Sequence, residues 1–247
     1  MAITKKGIAV AFDLPGDFLE ANAQIEYDSL VLEVLEGEVS FTPCVRATVA
    51  PREITRAFST CARFLGELCW YNQTKIDLRS CVTGGISPTN RVRRQWGREG
   101  VRISLRDFKQ TVSDEAAHLG LAFYREAYAT DSPFYRYISF FKVLEAALPL
   151  AEQRVAWMEA AVPKLSRSKV AIDYLRYRVQ PLVLHQWLYE EGRNPLVHGG
   201  RKEGESKIDP NNFDDWQNMA WASGIVQELA ENALVEVLEV KPARFIG

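Results

Sequence analysis

Apolar and polar positions follow short, strand-like runs through the first hundred residues and helical spacing after that. Residues 7–12 form a short apolar run. Residues 29–35 and 38–50 carry Val, Leu, Phe and Thr in strand-like stretches, with Glu36-Gly37 between them as a hairpin turn. Pro51 opens a helical stretch in which Ile54, Phe58, Ala62, Leu65 and Leu68 recur at helical spacing. Residues 76–82 return to strand character, which Gly84-Gly85 is expected to stop.

From Thr111 the strand signals disappear. Thr111 with Asp114 resembles a capping box, and the helix after it, through about residue 128, should bury Leu119, Phe123 and Ala127. Ser132-Pro133 supplies an N-cap followed by proline at the first helical position. The helix over 134–148 is rich in aromatics: Phe134, Tyr135, Tyr137, Phe140 and Phe141. A further helix over 151–162 is closed by Pro163. Another, over 170–189, is closed by Gly192 and kinked or split at Pro181. The last spans 212–237 with Trp216, Ala220, Ile225, Leu229 and Ala233 among its apolar positions. The expected fold class is α+β: a small mixed α/β N-terminal domain over 1–110, then an up-and-down helical bundle over 111–247.

Composition narrows the function classes. The net charge of −2 on 247 residues gives no global field for polyanions, so contact with nucleic acid needs a local patch. No secretory signal and no membrane-spanning stretch is read, and a cytoplasmic location without membrane partners is expected. Cys44, Cys61, Cys69 and Cys81 form no C-x-x-C pair, so buried free thiols are expected rather than a zinc site or disulfides. Neither a Gly-rich phosphate loop nor an H-E-x-x-H pattern is found, and no cofactor is expected. The basic stretch 91–109, with Trp96 inside it, could contact phosphates, but Val101 to Leu105 alternate like a charged edge strand, the reading preferred here.

The chemistry concentrates in Arg193-Asn194-Pro195-Leu196-Val197-His198. A residue before proline is pushed out of the α region, Asn is a good N-cap and Pro a good first helical residue. The long helix should therefore end near Gly192 and a new turn start at Asn194, letting Arg193 and His198 converge across the break. Metal-free RNA cleavage needs a group that moves protons near neutral pH and a cation for the crowded phosphorane. Histidine and arginine supply these, and Asn194 can donate to phosphate or orient the imidazole. Glu145, on the face of Phe134, Ile138, Phe141 and Leu148, either pairs with Arg193 or orients His198, or else is an edge residue reaching solvent. Arg176 and Arg178, with Arg201 and Lys202 after the motif, are the candidate RNA-binding cations. His118 is read as a surface residue and His185 as a satisfied helical one.

The R-N-x-x-x-H run followed by Gly199-Gly200 resembles the R-x(4–6)-H motif of the HEPN superfamily. The helix beginning Phe134-Tyr135-Arg136-Tyr137 resembles that of the methylamine-utilisation group among them. The likeness covers about residues 111–240, and Pro195 departs from the usual run. It implies a helical bundle and a metal-independent endoribonuclease with a composite site in a homodimer, His198, Arg193 and Asn194 serving as above. It also implies a setting in toxin or phage-defence systems. The rival is a non-catalytic interaction or nucleotide-binding module whose N-terminal domain docks a protein partner. An accessory role in amine oxidation has no redox or cofactor motif behind it.

Overall fold

The computed structural model describes residues 7–13, 23–35, 38–41, 51–76, 80–86, 105, 108–180, 183–198 and 208–242. Of residues 7–13, 23, 35, 38–41, 51–54, 80–86 and 198 only the backbone is described. The expected edge strand at 101–105 falls almost wholly outside this set, and Leu105 is not in a strand. The chain forms two compact units, one of residues 1–111 with 243–247 and one of residues 112–242.

Among the described residues the first unit holds five antiparallel strands in the order β2-β3-β4-β1-β5. They are β1 (Gly7–Asp13), β2 (Ala23–Tyr27), β3 (Leu30–Leu35), β4 (Glu38–Phe41) and β5 (Ser80–Ile86). Leu35 faces Glu38, so β3 and β4 are joined through residues 36 and 37. The β2–β3 hairpin, not foreseen, turns on Asp28 and Ser29, both at positive φ (49° and 61°). That geometry matches the right-handed strand twist, and Asp tolerates it better than most residues. β5 begins four residues later than expected and runs through Gly84-Gly85, because Gly85 pairs with Ile8 in the ladder. Helix α1 (Pro51–Asn72) buries Ala57, Cys61, Phe64, Leu65, Leu68 and Trp70, while Phe58 is exposed. Cys61 and Cys69 are buried thiols, and the side chains of Cys44 and Cys81 lie outside those described. Inside this unit Glu67 is fully buried, and it accepts from the Tyr27 hydroxyl at 2.6 Å and the Thr111 backbone N–H at 3.2 Å.

The second unit is helical. It comprises α2 (Glu115–Ala129), α3 (Pro133–Ala147), α4 (Ala151–Ala161), α5 (Lys169–Arg178), α6 (Leu184–Trp187), α7 (Asn194–His198) and α8 (Phe213–Glu236). Pro163 sits in a 3₁₀ turn after α4, and a π-helical turn, Leu188–Arg193, joins α6 to α7. The cap of α2 is Asp114, whose carboxylate accepts from the Ala117 N–H, whereas Thr111 pairs its hydroxyl with Tyr71. The buried face of α2 is Ala117, Gly120, Leu121, Tyr124 and Ala127, rotated from the expected one: Leu119 is half-exposed and His118 only 7% exposed. The reason is α8. Its Leu234, with Leu238 just beyond its end, closes over Gly120, and its Glu231 accepts from the Tyr124 hydroxyl at 2.9 Å. Small and polar residues thus hold core positions that a count of hydrophobes misses.

These contacts make α2 antiparallel to α8, and α2 is likewise antiparallel to α3 across a short connection (Phe140 packs on Tyr124, Lys142 over Phe123). Glu228 of α8 caps α5 from outside. Its carboxylate accepts the N–H groups of Ser166 (2.9 Å), Arg167 (3.1 Å) and Ser168 (2.8 Å). These N–H groups belong to the N-cap Ser168 and the two residues before it, at a helix start where negative charge is favoured. None of the described helices is long and apolar enough to cross a membrane.

Candidate functional site

The chain does not break at Gly192. The six-residue π-turn carries straight into α7, and Asn194 is helical, at φ −62° and ψ −41°. The expected N-cap at Asn194 and the expected convergence across a break are therefore corrected. In a regular helix the Pro195 ring would strike the carbonyl four residues back. The π-turn before it moves the bonding back by one residue, so the Asn194 N–H reaches Tyr189 O, five positions earlier. The proline is accommodated by widening the helix rather than ending it.

Helix α3 sets this geometry. Tyr137, Phe141 and Glu145 are spaced by four and share one face. The Tyr137 hydroxyl donates to Leu188 O at 2.5 Å. A Cβ on residue 192 would lie 2.5 Å from that same phenol oxygen, so glycine is needed there. Burial raises the Tyr137 phenol far above its ordinary range, against the opposing pull of the Arg193 charge, so it stays a neutral donor. Phe141 packs on Tyr189 with ring centroids 5.9 Å apart.

Arg193 is gripped on three sides. Its Nε and one terminal nitrogen donate to Glu145 Oε1 at 3.1 and 2.6 Å. The other terminal nitrogen donates to Asn194 Oδ1 at 3.0 Å. Its guanidinium lies 5.8 Å from the Tyr189 ring centroid, and Arg154 approaches the same ring at 6.0 Å. Arg154 in turn donates to Leu148 O (2.6 Å) and Pro149 O (2.8 Å), closing the C-terminal end of α3.

Of the predicted site residues, Glu145, Arg193 and Asn194 thus meet. His198 is the last residue of α7, and its side chain lies outside those described. Five positions along one helix put the two backbone sites about 140° apart around the axis. Arg201 and Lys202 are outside the described residues. Arg178 is engaged with Asp214 at 2.5 Å. Arg176 lines a cavity of about 240 Å³ with Glu159, Val162, Pro163, Val183, Leu184 and His185. Tyr137, Tyr189, Arg154 and Gly192 were not anticipated as parts of the site. The four-residue spacing of Tyr137, Phe141 and Glu145 was the available signal. No cluster of potential metal ligands occurs among the described residues.

The family model described as methylamine utilization protein MauJ matches residues 120–235. That span includes Glu145 and the whole Arg193–His198 stretch, and it supports the methylamine-utilisation likeness. No curated protein and no solved structure matches the chain significantly.

Proposed function

We propose that the helical unit is a HEPN-like domain and a metal-independent endoribonuclease acting on single-stranded RNA. The observation behind this reading is the fixed, partly exposed guanidinium of Arg193. Among the described residues, three of its five N–H donors are taken by Glu145 and Asn194, which leaves two for a phosphate oxygen. An arginine held this way loses little freedom on meeting a phosphorane. In the proposed reaction His198 takes the proton from a 2′-hydroxyl and the freed oxygen attacks the adjacent phosphorus. The 5′-oxygen then leaves with a proton, giving a 2′,3′-cyclic phosphate and a 5′-hydroxyl. One motif histidine per chain cannot serve both ends of the transfer in one step, so a second copy supplies the other. The likeness of this stretch to the HEPN motif supports the same reading, and the family match supports its methylamine-utilisation grouping.

The test is incubation of the pure chain with single-stranded RNA in EDTA, alongside His198→Ala and Arg193→Ala. Cyclic-phosphate ends should form, and each substitution should slow cleavage by about a hundredfold or more. Cleavage that survives His198→Ala, or that needs a divalent metal, overturns the mechanism.

One observation favours a second reading, a non-catalytic binding module. Glu145 neutralises Arg193, and the unbroken helix sets the backbone positions of Arg193 and His198 about 140° apart around its axis. Such a module would bind RNA or a nucleotide without cleaving it, and His198→Ala would leave that binding unchanged. Docking of a protein partner by the N-terminal unit belongs to this reading.

A further inference from the structure

Helices α5 and α8 lie antiparallel, tied by Ser168 Oγ to Gly224 O at 3.3 Å, by Tyr174 stacked on Trp221 at 5.1 Å, and by Arg178 on Asp214 at 2.5 Å. Their outer side is unusually aromatic. Phe213 is 71% exposed, Tyr177 78%, Trp216 46% and Trp221 36%. At roughly 200 Å² for a whole aromatic side chain, these four leave about 450 Å² open. That matches the largest apolar patch of a typical monomer, about 300–600 Å², and is more than half of one partner's share of a standard interface, about 800 Å².

The three glycines within helical segments of this unit differ in a telling way. A Cβ on Gly120 would meet Leu234 and Leu238, and one on Gly192 would meet Tyr137. A Cβ on Gly224 would meet nothing within 4 Å. Glycine in the middle of a helix is destabilising relative to alanine, and among the described residues nothing fills the space at Gly224 that would offset this. Gly224 also lies on the aromatic face: Phe213, Gln217, Ala220 and Gly224 follow the four-three-four spacing that forms one line along a helix.

We infer that this face of α8 and α5 is an interface with a second copy of the chain, the two α8 helices packing antiparallel about a two-fold axis near residue 218. The line is self-complementary in that register and in no parallel one. Phe213 of one copy falls opposite Gly224 of the other, and Gln217 opposite Ala220. The bulky residue enters the space that glycine leaves open, while Trp216 and Trp221 close the two flanks. The absence of a Cβ lets the ring approach the helix backbone closely. This inference does not rest on the ribonuclease reading.

Sedimentation velocity of the full chain from 1 to about 100 µM tests it, with far-UV circular dichroism to confirm folding. The wild-type chain should be a dimer in this range. Gly224→Leu, which fills the space but raises helix propensity, should weaken association tenfold or more, as should Phe213→Asp. His198→Ala should dimerise as wild type, which separates this interface from the proposed RNA site. A chain monomeric at the highest concentration, as when its own first unit or another protein covers the face, overturns the inference. So does a dimer that either substitution leaves unchanged.

Discussion

The phenol oxygen of Tyr137 occupies the place where a side chain on residue 192 would begin, and it donates to the carbonyl of Leu188 one turn earlier. One tyrosine therefore dictates both the absence of a side chain in the π-turn and the carbonyl that steadies it. Gly192→Ala should force the ring away and cost about 1–3 kcal/mol of stability by overpacking and the loss of a buried hydrogen bond. In a Tyr137→Phe background, which lacks the offending oxygen, the same substitution should cost measurably less. Urea denaturation of the two single variants and the double variant measures that coupling, and simple additivity would refute it.

Glu145→Ala releases Arg193 from its main restraint. Stability should fall by about 1–2 kcal/mol, between the values for exposed and buried pairs. Removing the neutralising carboxylate should tighten RNA binding and steepen its dependence on salt by about one counterion. Cleavage should nevertheless slow, because the guanidinium is no longer aimed. Filter binding across a salt series, run beside the cleavage assay, reads both changes.

Acid should weaken the helical unit through Glu228. Burial pushes this carboxyl up, but the Ser168 hydroxyl and the backbone N–H groups of Arg167, Ser166 and Ser168 outweigh it and hold the carboxyl below its usual range. Folding thus favours the ionised form. The stability it contributes is whole above the ordinary glutamate value of about 4.3 and is lost as pH falls through the lower folded value. Glu228→Gln should be less stable than wild type at pH 7, and the gap should shrink as pH is taken toward 3. Melting temperatures of the two proteins across that range check the sign, and a gap that widens in acid would refute it.

In the first unit, Tyr27→Phe removes a hydroxyl donor from the fully buried carboxylate of Glu67. A buried acceptor that loses a donor costs about 1–3 kcal/mol. Amide hydrogen exchange in α1, which carries Glu67, should speed up correspondingly, while exchange in α8 is unaffected.

Local signals in the sequence were sufficient where the deciding energies act within one turn of chain. Ser132-Pro133 starts α3 and the last helix begins beside Asn212 as expected, while Pro181 lies outside the described residues. The Ser132-Pro133 start read correctly because its effect is backbone sterics among neighbours. Glu145 and Arg193 could be singled out, since each needs a partner if partly buried, but 48 positions separate them and only the packing of α3 on the π-turn brings them together. The same packing reversed the local reading of Gly192, Asn194 and Pro195. By propensity that run ends a helix. In the folded chain Tyr137 fills the space a side chain would need and steadies the Leu188 carbonyl, and the helix widens past the proline and continues. Which face of α2 is buried was likewise settled by what α8 laid against it. Sequence by itself determined the start of α3 and singled out Glu145, Arg193 and Asn194 as candidates. Tertiary structure alone decided how those residues are aimed, because orientation depends on contacts between segments that no local preference encodes.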